Sequence, residues 1–232
     1  MIAPPGDTFM MTFEFEAFEG HIVAHIDGND CLVDTGSPLT FGEGRSMPSF
    51  GKTEIGAGLP GLDAHEVGRL LGRPLDILLG TDLLGNQPFL VDWEARTITF
   101  DPETRPAGSE IPLDNIMGCP LVSARIGGQA LKLAVDTGAR VTFLNPSLVA
   151  GERPVGHYDD FYITCGPFTC DSFEKTVCVG DVSLDLIVGG LPSDMDSGLG
   201  FMGLDGILGN DIFNHYPRVL YDLPSATLTL SR

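Results

Sequence analysis

Basic residues are scarce in this 232-residue chain: Lys and Arg total 13 against 32 Asp and Glu, a formal net charge of -19. Such a polyanion is repelled by phosphate backbones and by anionic lipid headgroups, so neither nucleic acid nor a membrane surface is an expected partner. The plain reading of the charge is solubility; attraction of basic substrates or tolerance of acid is also compatible with it. Long apolar runs are missing as well. No stretch approaches the ~20 apolar residues of a membrane span, and Met1–Asp7 carries neither the basic nor the apolar region of an export signal, so the expected location is the cytoplasm. Cysteine is sparse and odd in number, five in all, which does not fit a fully paired disulfide framework and favours a reducing compartment. Cys165, Cys170 and Cys178 cluster without the paired CxxC spacing of a zinc site; structural thiols lead a local disulfide, and a metal comes last. The only tryptophan, Trp93, reads as a packing residue.

What the chain does have is glycine and proline, 30 and 17 residues, with 43% hydrophobic content: enough for a packed core, cut into short segments. That composition predicts an all-β protein. Short, turn-bounded apolar runs predict strands at His21–Ile26, Leu121–Ile126, Leu131–Val135 and Ser183–Val188. The best helix candidate is 63–71, with Asp63 as N-cap, Glu66 at capping-box spacing and Gly72 as the stop. Short helices are expected at Asp82–Leu84 and Asp211–Phe213.

The chain is organised by an internal duplication. Cys31-Leu32-Val33-Asp34-Thr35-Gly36-Ser37 matches Leu133-Ala134-Val135-Asp136-Thr137-Gly138-Ala139. In the same order, Asp76-Ile77-Leu78-Leu79-Gly80-Thr81-Asp82-Leu83 matches Asp205-Gly206-Ile207-Leu208-Gly209-Asn210-Asp211-Ile212, and the strand pair beginning at Phe89 matches the one beginning at Val219. Two long units are too few for a solenoid and predict two lobes, 1–107 and 108–232. The stretch Asp101–Glu110, polar and broken by Pro102 and Pro106, is the expected linker.

Two Asp-Thr-Gly turns, each following an apolar strand in a matched repeat, point to a pair of carboxylates. Hydrolysis of a peptide bond without metal or covalent intermediate needs a water held between two carboxyl groups, one accepting its proton and the other donating to the carbonyl. Like charges about 3 Å apart do not both ionise, so such a pair shares one proton. Asp34 and Asp136 are the candidates. Gly36 and Gly138 permit close approach of the loops, and Thr35 and Thr137 can bond across to the opposite loop.

These motifs resemble those of aspartic proteases of the retropepsin and pepsin superfamily, in which an apolar-Asp-Thr/Ser-Gly loop is followed by a hydrophobic-hydrophobic-Gly segment, here Leu78-Leu79-Gly80 and Ile207-Leu208-Gly209. The resemblance spans most of both halves. It implies a two-lobed acid-protease fold, a pseudo-twofold pair of retropepsin-like β-barrel lobes in one chain, active as a monomer, cutting an extended peptide or protein substrate between the lobes with no metal and no cofactor. Ser37 after the first motif is pepsin-like, whereas Ala139 after the second is retropepsin-like. A hydroxyl beside Asp34 and a methyl beside Asp136 predict that Asp34 holds the charge and Asp136 the proton. The second half has the longer stretch between Asp and motif Gly. Within it 160–170, including Tyr162, Ile163, Gly166 and Phe168, reads as a hairpin with a Gly-Pro tip, either a flap over the site or a surface hairpin on its own lobe. The first half offers only Ser49–Gly58 for that role.

The alternative to an enzyme is a non-catalytic peptide-binding or regulatory module that keeps the fold; two complete Asp-Thr-Gly loops favour the enzyme. Gly56–Gly61 matches GxGxxG but has no leading strand or βαβ context, so no nucleotide site is expected. His21 and His25 share a strand face without a third ligand and read as ordinary core or surface residues.

Overall fold

A computed structural model describes residues 10–58, 62–163 and 166–232. Met1–Asp7, the last three residues of the GxGxxG stretch and Cys165 lie outside the described residues. The protein is mostly β, with few helices. Its first half runs through β1 (Met11–Phe18), β2 (His21–Ile26), β3 (Asn29–Val33), α1 (Ala64–Leu71), β4 (Ile77–Leu79), α2 (Thr81–Leu84), β5 (Phe89–Asp92) and β6 (Thr97–Phe100). The second adds β7 (Ser109–Ile116), β8 (Cys119–Ile126), β9 (Gln129–Val135), β10 (Phe143–Leu144), β11 (Gly156–Tyr162), β12 (Gly166–Val179), β13 (Val182–Gly190), α3 (Ser193–Phe201), β14 (Gly206–Leu208), β15 (Arg218–Asp222) and β16 (Thr227–Ser231). The second short helix expected from the sequence is a 3-10 turn over Asn210–Asn214.

The duplication is visible in the hydrogen bonding. Glu19-Gly20 and Met117-Gly118 both take positive φ in the two-residue turns that open β2 and β8, and Asp27-Gly28 and Gly127-Gly128 do so before β3 and β9. Such turns match the right-handed twist of the flanking strands. In both halves an antiparallel β-meander then meets a parallel strand: β3 beside β4, with Val33 opposite Leu79, and β9 beside β14, with Val135 opposite Leu208. The halves meet where β5 and β15 pair antiparallel about Leu90 and Leu220. There the Phe89 and Tyr221 rings stack at 4.7 Å, and both side chains are fully buried. Each contributes on the order of 2 kcal/mol of burial. One core cluster therefore contains residues of both halves, Phe89 and Phe100 with Val219, Tyr221 and Leu230. The linker is correspondingly shorter than expected: Ser109 and Glu110 already belong to β7 and pair with Leu230 and Thr229 of β16.

The expected helix forms, with Asp63 outside it as the N-cap residue. Asp63 accepts from the Glu66 N–H at 2.7 Å, and Gly72 ends α1 in the left-handed conformation. Glu66 does not complete the capping box, however; its carboxylate is bonded by Arg69. The buried face Ala64, Val67 and Leu71 packs on Val23, Leu32, Phe41 and Leu78. The second half differs from the first by the long β12, which pairs with β13 and, at Cys178 and Val179, with β8. That extra pairing closes β12, β13, β10, β14, β9 and β8 into a ring.

Candidate active site

Each Asp-Thr-Gly loop is anchored by the strand parallel to its own. The Asp34 N–H donates to the Leu79 carbonyl and the Asp136 N–H to the Leu208 carbonyl, both at 3.0 Å. One residue on, the chain passes so close to the loop that a side chain has no room. A Cβ on Gly80 would lie 2.4 Å from the Leu39 oxygen, and one on Gly209 would lie 2.3 Å from the Val141 oxygen. The next N–H groups close the loops, Thr81 to the Ser37 carbonyl and Asn210 to the Ala139 carbonyl, at 2.9 Å each. The hydrophobic-hydrophobic-Gly pattern is thus a backbone-clearance requirement.

The two loops then interlock. Thr35 Oγ1 donates to the Val135 carbonyl at 2.7 Å and accepts from the Thr137 N–H at 3.0 Å; Thr137 Oγ1 donates to the Val33 carbonyl at 2.8 Å and accepts from the Thr35 N–H at 3.0 Å. All four bonds cross between the halves, and both threonines are buried. The contact forces glycine at the third position: a Cβ on Gly36 would sit 2.4 Å from the Asp136 carboxyl carbon, and one on Gly138 would sit 2.6 Å from that of Asp34. Each carboxyl group thus lies against the glycine of the opposite loop, which brings the two aspartates together.

Burial raises the pKa of both. Asp34 is pushed up further by the Asp136 charge, with N–H groups of Ser37 and Gly36 acting against the rise. Asp136 is held back by N–H groups of Gly138, Gly36 and Ala139. Both groups thus hold a shared proton more tightly than a free carboxyl does, and the donor expected to favour charge on Asp34, the Ser37 hydroxyl, is not aimed at it. The reason is geometric: the Ser37 hydroxyl donates to the Leu39 carbonyl at 2.8 Å, and Asp34 Oδ1 receives the Ser37 backbone N–H at 3.0 Å. A backbone N–H is available at Ala139 too, so the side chain at this position does not distinguish the two aspartates.

Residues to which the sequence assigns no functional role brace the loops from outside, among them His21, which is buried as a core residue. The His21 Nδ1–H donates to the Gly138 carbonyl at 2.9 Å, and burial drives this imidazole's pKa down to about 4, so it stays neutral. At the equivalent turn of the second half the Cys119 thiol donates to the Gly36 carbonyl at 3.1 Å. Asn210 Nδ2 bonds both the Thr137 and Gly20 carbonyls. Only the equivalent places of His21 and Cys119, each directly after a repeated turn, could have signalled this. His25, four residues from His21, is exposed and pairs with Asp30. Cys31, Cys119, Cys170 and Cys178 are free thiols, and among the described residues no cluster could hold a metal ion. Among the described residues no helix is long and apolar enough to cross a membrane.

The expected hairpin exists with a shifted tip. β11 and β12 pair through Tyr162 opposite Gly166 and Phe161 opposite Pro167, so Gly166-Pro167 starts the return strand and does not form the turn. The hairpin is not confined to its own half. Phe161 and Ile163 pack on the first-half cluster of Val23, Leu32, Phe41 and Leu78, while Tyr162 and Phe168 pack on the second-half cluster containing Phe143 and Met195. Together with Asp34, Asp136, Gly138 and Ala139, the residues Tyr162, Ile163 and Phe168 line a cavity of ≈ 40 Å³; Gly166 does not reach it. Space for one water requires roughly 10–15 Å³, so this cavity admits a water or two and no peptide. The first-half segment expected as a second flap folds back on its own half: Met47 and Ile55 are buried, and Met47 pairs with Lys52 around Pro48–Phe50. Asp160, on β11, also faces the cavity. Its carboxyl lies 3.5 Å from Arg140 Nε, and burial raises its pKa to about 6.

No family profile and no curated protein matches the chain. Among solved structures it is similar to a foamy viral protease-reverse transcriptase in complex with an RNA/DNA hybrid, with a TM-score of 0.33 and 16% identity over 41% of this chain. The chain spans 12% of that protein's length. A likeness this distant assigns neither fold nor activity.

Proposed function

We propose that the chain is an aspartic endopeptidase with a two-lobed acid-protease fold, its lobes spanning 1–107 and 108–232, and that Asp34 and Asp136 are its catalytic pair. The observation that carries this reading is the interlocked Thr35–Thr137 contact, which holds the two carboxyl groups close together despite their repulsion. A binding module gains nothing from that arrangement, which raises the pKa of both groups.

In this reading a water sits between the carboxyl groups. Asp136, carrying the charge, takes a proton from the water as its oxygen attacks the scissile carbonyl, while Asp34 gives its proton to the carbonyl oxygen. The tetrahedral diol collapses as Asp136 gives its proton to the amide nitrogen, the C–N bond breaks and one diol hydroxyl returns its proton to Asp34, which leaves one shared proton on the pair again. The peptide lies extended between the halves, and the β11–β12 hairpin must lift to admit it. Because one chain supplies both aspartates, the monomer is the active species, and activity per chain does not fall on dilution.

The test is cleavage of a peptide library across pH, with and without a statine-containing peptide, whose hydroxyl mimics the tetrahedral state. Cleavage that statine blocks, lost in both Asp34→Asn and Asp136→Asn, is the expected result. Selective peptide binding with no cleavage at any pH would instead identify a binding module that has kept the fold.

A further inference from the structure

Three cavities share lining residues across the candidate catalytic pair, and their chemistry differs from end to end. The central one shares Tyr162, Ile163 and both aspartates with a cavity of ≈ 160 Å³ whose walls include Pro38, Phe41 and Leu62. On the other side it shares Asp160 and Phe161 with an open cleft of ≈ 500 Å³ between the halves. One flank of the path is apolar. The other brings Glu19, Asp159 and Asp160 together against the single guanidinium of Arg140.

Asp160 is the unusual member of that flank. Its side chain is only 4% exposed, yet Oδ2 has no hydrogen-bond partner. Oδ1 accepts the Phe161 N–H at 2.8 Å. Arg140 does not satisfy Oδ2: its Nε stands 3.5 Å away and is itself without a hydrogen bond, and its guanidinium carbon lies 5.6 Å from the centre of the Tyr158 ring. Oδ2 is buried and met only by the long Arg140 ion pair, and a carboxylate oxygen without a hydrogen bond in a residue that lines a cleft is costly unless a ligand supplies a donor. The same cleft has apolar walls at Leu70, Leu71, Phe161 and Pro167, suited to the methylene stem of a long cationic side chain.

We propose that this cleft is a specificity subsite for a Lys or Arg side chain of the peptide substrate, with Asp160 Oδ2 as its acceptor and Glu19 and Asp159 supplying further negative potential. The subsite deepens the endopeptidase reading and relies on it for cleavage alone, because the same preference is measurable in binding. The overall charge of -19 acts in the same sense, drawing basic peptides toward the cleft. The charged and titratable groups around Asp160 are Arg140 and Asp136 on the second loop, Glu19 and His21 at the first-half turn, His157 and Asp159 on its own strand, and Cys170 on β12. With Asp160 half-protonated near pH 6, the preference is full above that pH and fades as the pH falls through it.

The experiment uses labelled ten-residue peptides that differ only in Lys, Gln or Glu at one position, with that position scanned along the peptide. Binding to the full-length Asp136→Asn protein is read by fluorescence anisotropy, and cleavage by the wild type is read in parallel. At one position Lys should bind at least tenfold tighter than Gln at pH 7.5, with Glu weakest, and the Lys-to-Gln ratio should approach one at pH 5. Introducing Asp160→Asn should abolish the ratio and Asp160→Glu should keep it. A ratio that is one at every position, that does not change between the two pH values, or that survives in Asp160→Asn overturns the subsite; the pH comparison requires no variant at Asp160. Lys-selective binding without cleavage would refute the endopeptidase reading and leave the subsite standing. Cleavage without Lys preference would do the opposite.

Discussion

Replacing Thr35 by Val tests the interlock that holds the two aspartates together. Valine keeps the shape of threonine, so no cavity forms and the change is confined to hydrogen bonding. The variant loses the donor to the Val135 carbonyl at 2.7 Å and the acceptor for the Thr137 N–H at 3.0 Å. Both are backbone groups in a buried cluster, with Thr35 at 0% and Thr137 at 1% exposure, so solvent does not replace the lost partners. Each unsatisfied buried group costs about 1–3 kcal/mol, which gives roughly 2–6 kcal/mol for the pair. Thr35→Ser retains the hydroxyl and loses one methyl, a change of about 1 kcal/mol. Equilibrium urea unfolding separates the two, since a stability change shifts the midpoint at constant slope. The interlock should also control chemistry, so Thr35→Val protein that remains folded should lose kcat more than it gains KM. A Thr35→Val protein within about 0.5 kcal/mol of wild type, the range of ordinary surface substitutions, would refute the argument that these bonds hold the loops.

Asp34→Asn and Asp136→Asn should each lower kcat more than 100-fold, equivalent to about 2.7 kcal/mol, while the fold survives; residual activity above ~1% in either would end the pair assignment. Ser37→Ala should leave the acid limb of the kcat/KM pH profile where it is, because the hydroxyl faces the Leu39 carbonyl, and a clear shift of that limb would contradict this geometry. Asp211 is buried, accepts from Thr142, and has its pKa raised by burial to about 6, above the ordinary 3.8. A carboxyl raised on folding binds its proton more tightly in the native state, so its contribution is present at low pH and is lost as the pH rises from about 4 through 6. The difference is on the order of 3 kcal/mol, and Asp211→Asn should flatten the stability curve across that window in urea melts from pH 4 to 7.5. His21 acts with the opposite sign, its folded pKa of about 4 lying below the ordinary 6.5, so stability is gained as pH rises between them. His21→Gln should remove that gain, visible as a smaller loss of stability on acidification than in wild type.

Much of this architecture is local and was therefore legible in the residues. Strand β2 falls where its apolar run places it, and Asp63 and Gly72 bound α1 because capping and left-handed glycine are matters of a few neighbouring residues. The duplication too is a property of the chain: it paired Asp34 with Asp136 and Gly80 with Gly209 before any coordinate, and the glycines stand where backbone passes within contact of backbone. What the sequence could not decide is direction and distance across the fold. Ser37 sits beside Asp34 in the chain, but its hydroxyl turns to the Leu39 carbonyl and gives Asp34 only its backbone N–H. The hairpin was recognisable, yet only packing placed Phe161 and Ile163 on the opposite half and brought Asp160 into the cavity of the pair. His21 reads in the sequence as an ordinary core or surface residue and Cys119 carries no signal there, yet where the two halves meet each reaches a carbonyl of the other's Asp-Thr-Gly loop. Patterns of period and turn come from neighbours along the chain, whereas a side chain's partner is chosen by whatever surface the rest of the fold presents to it.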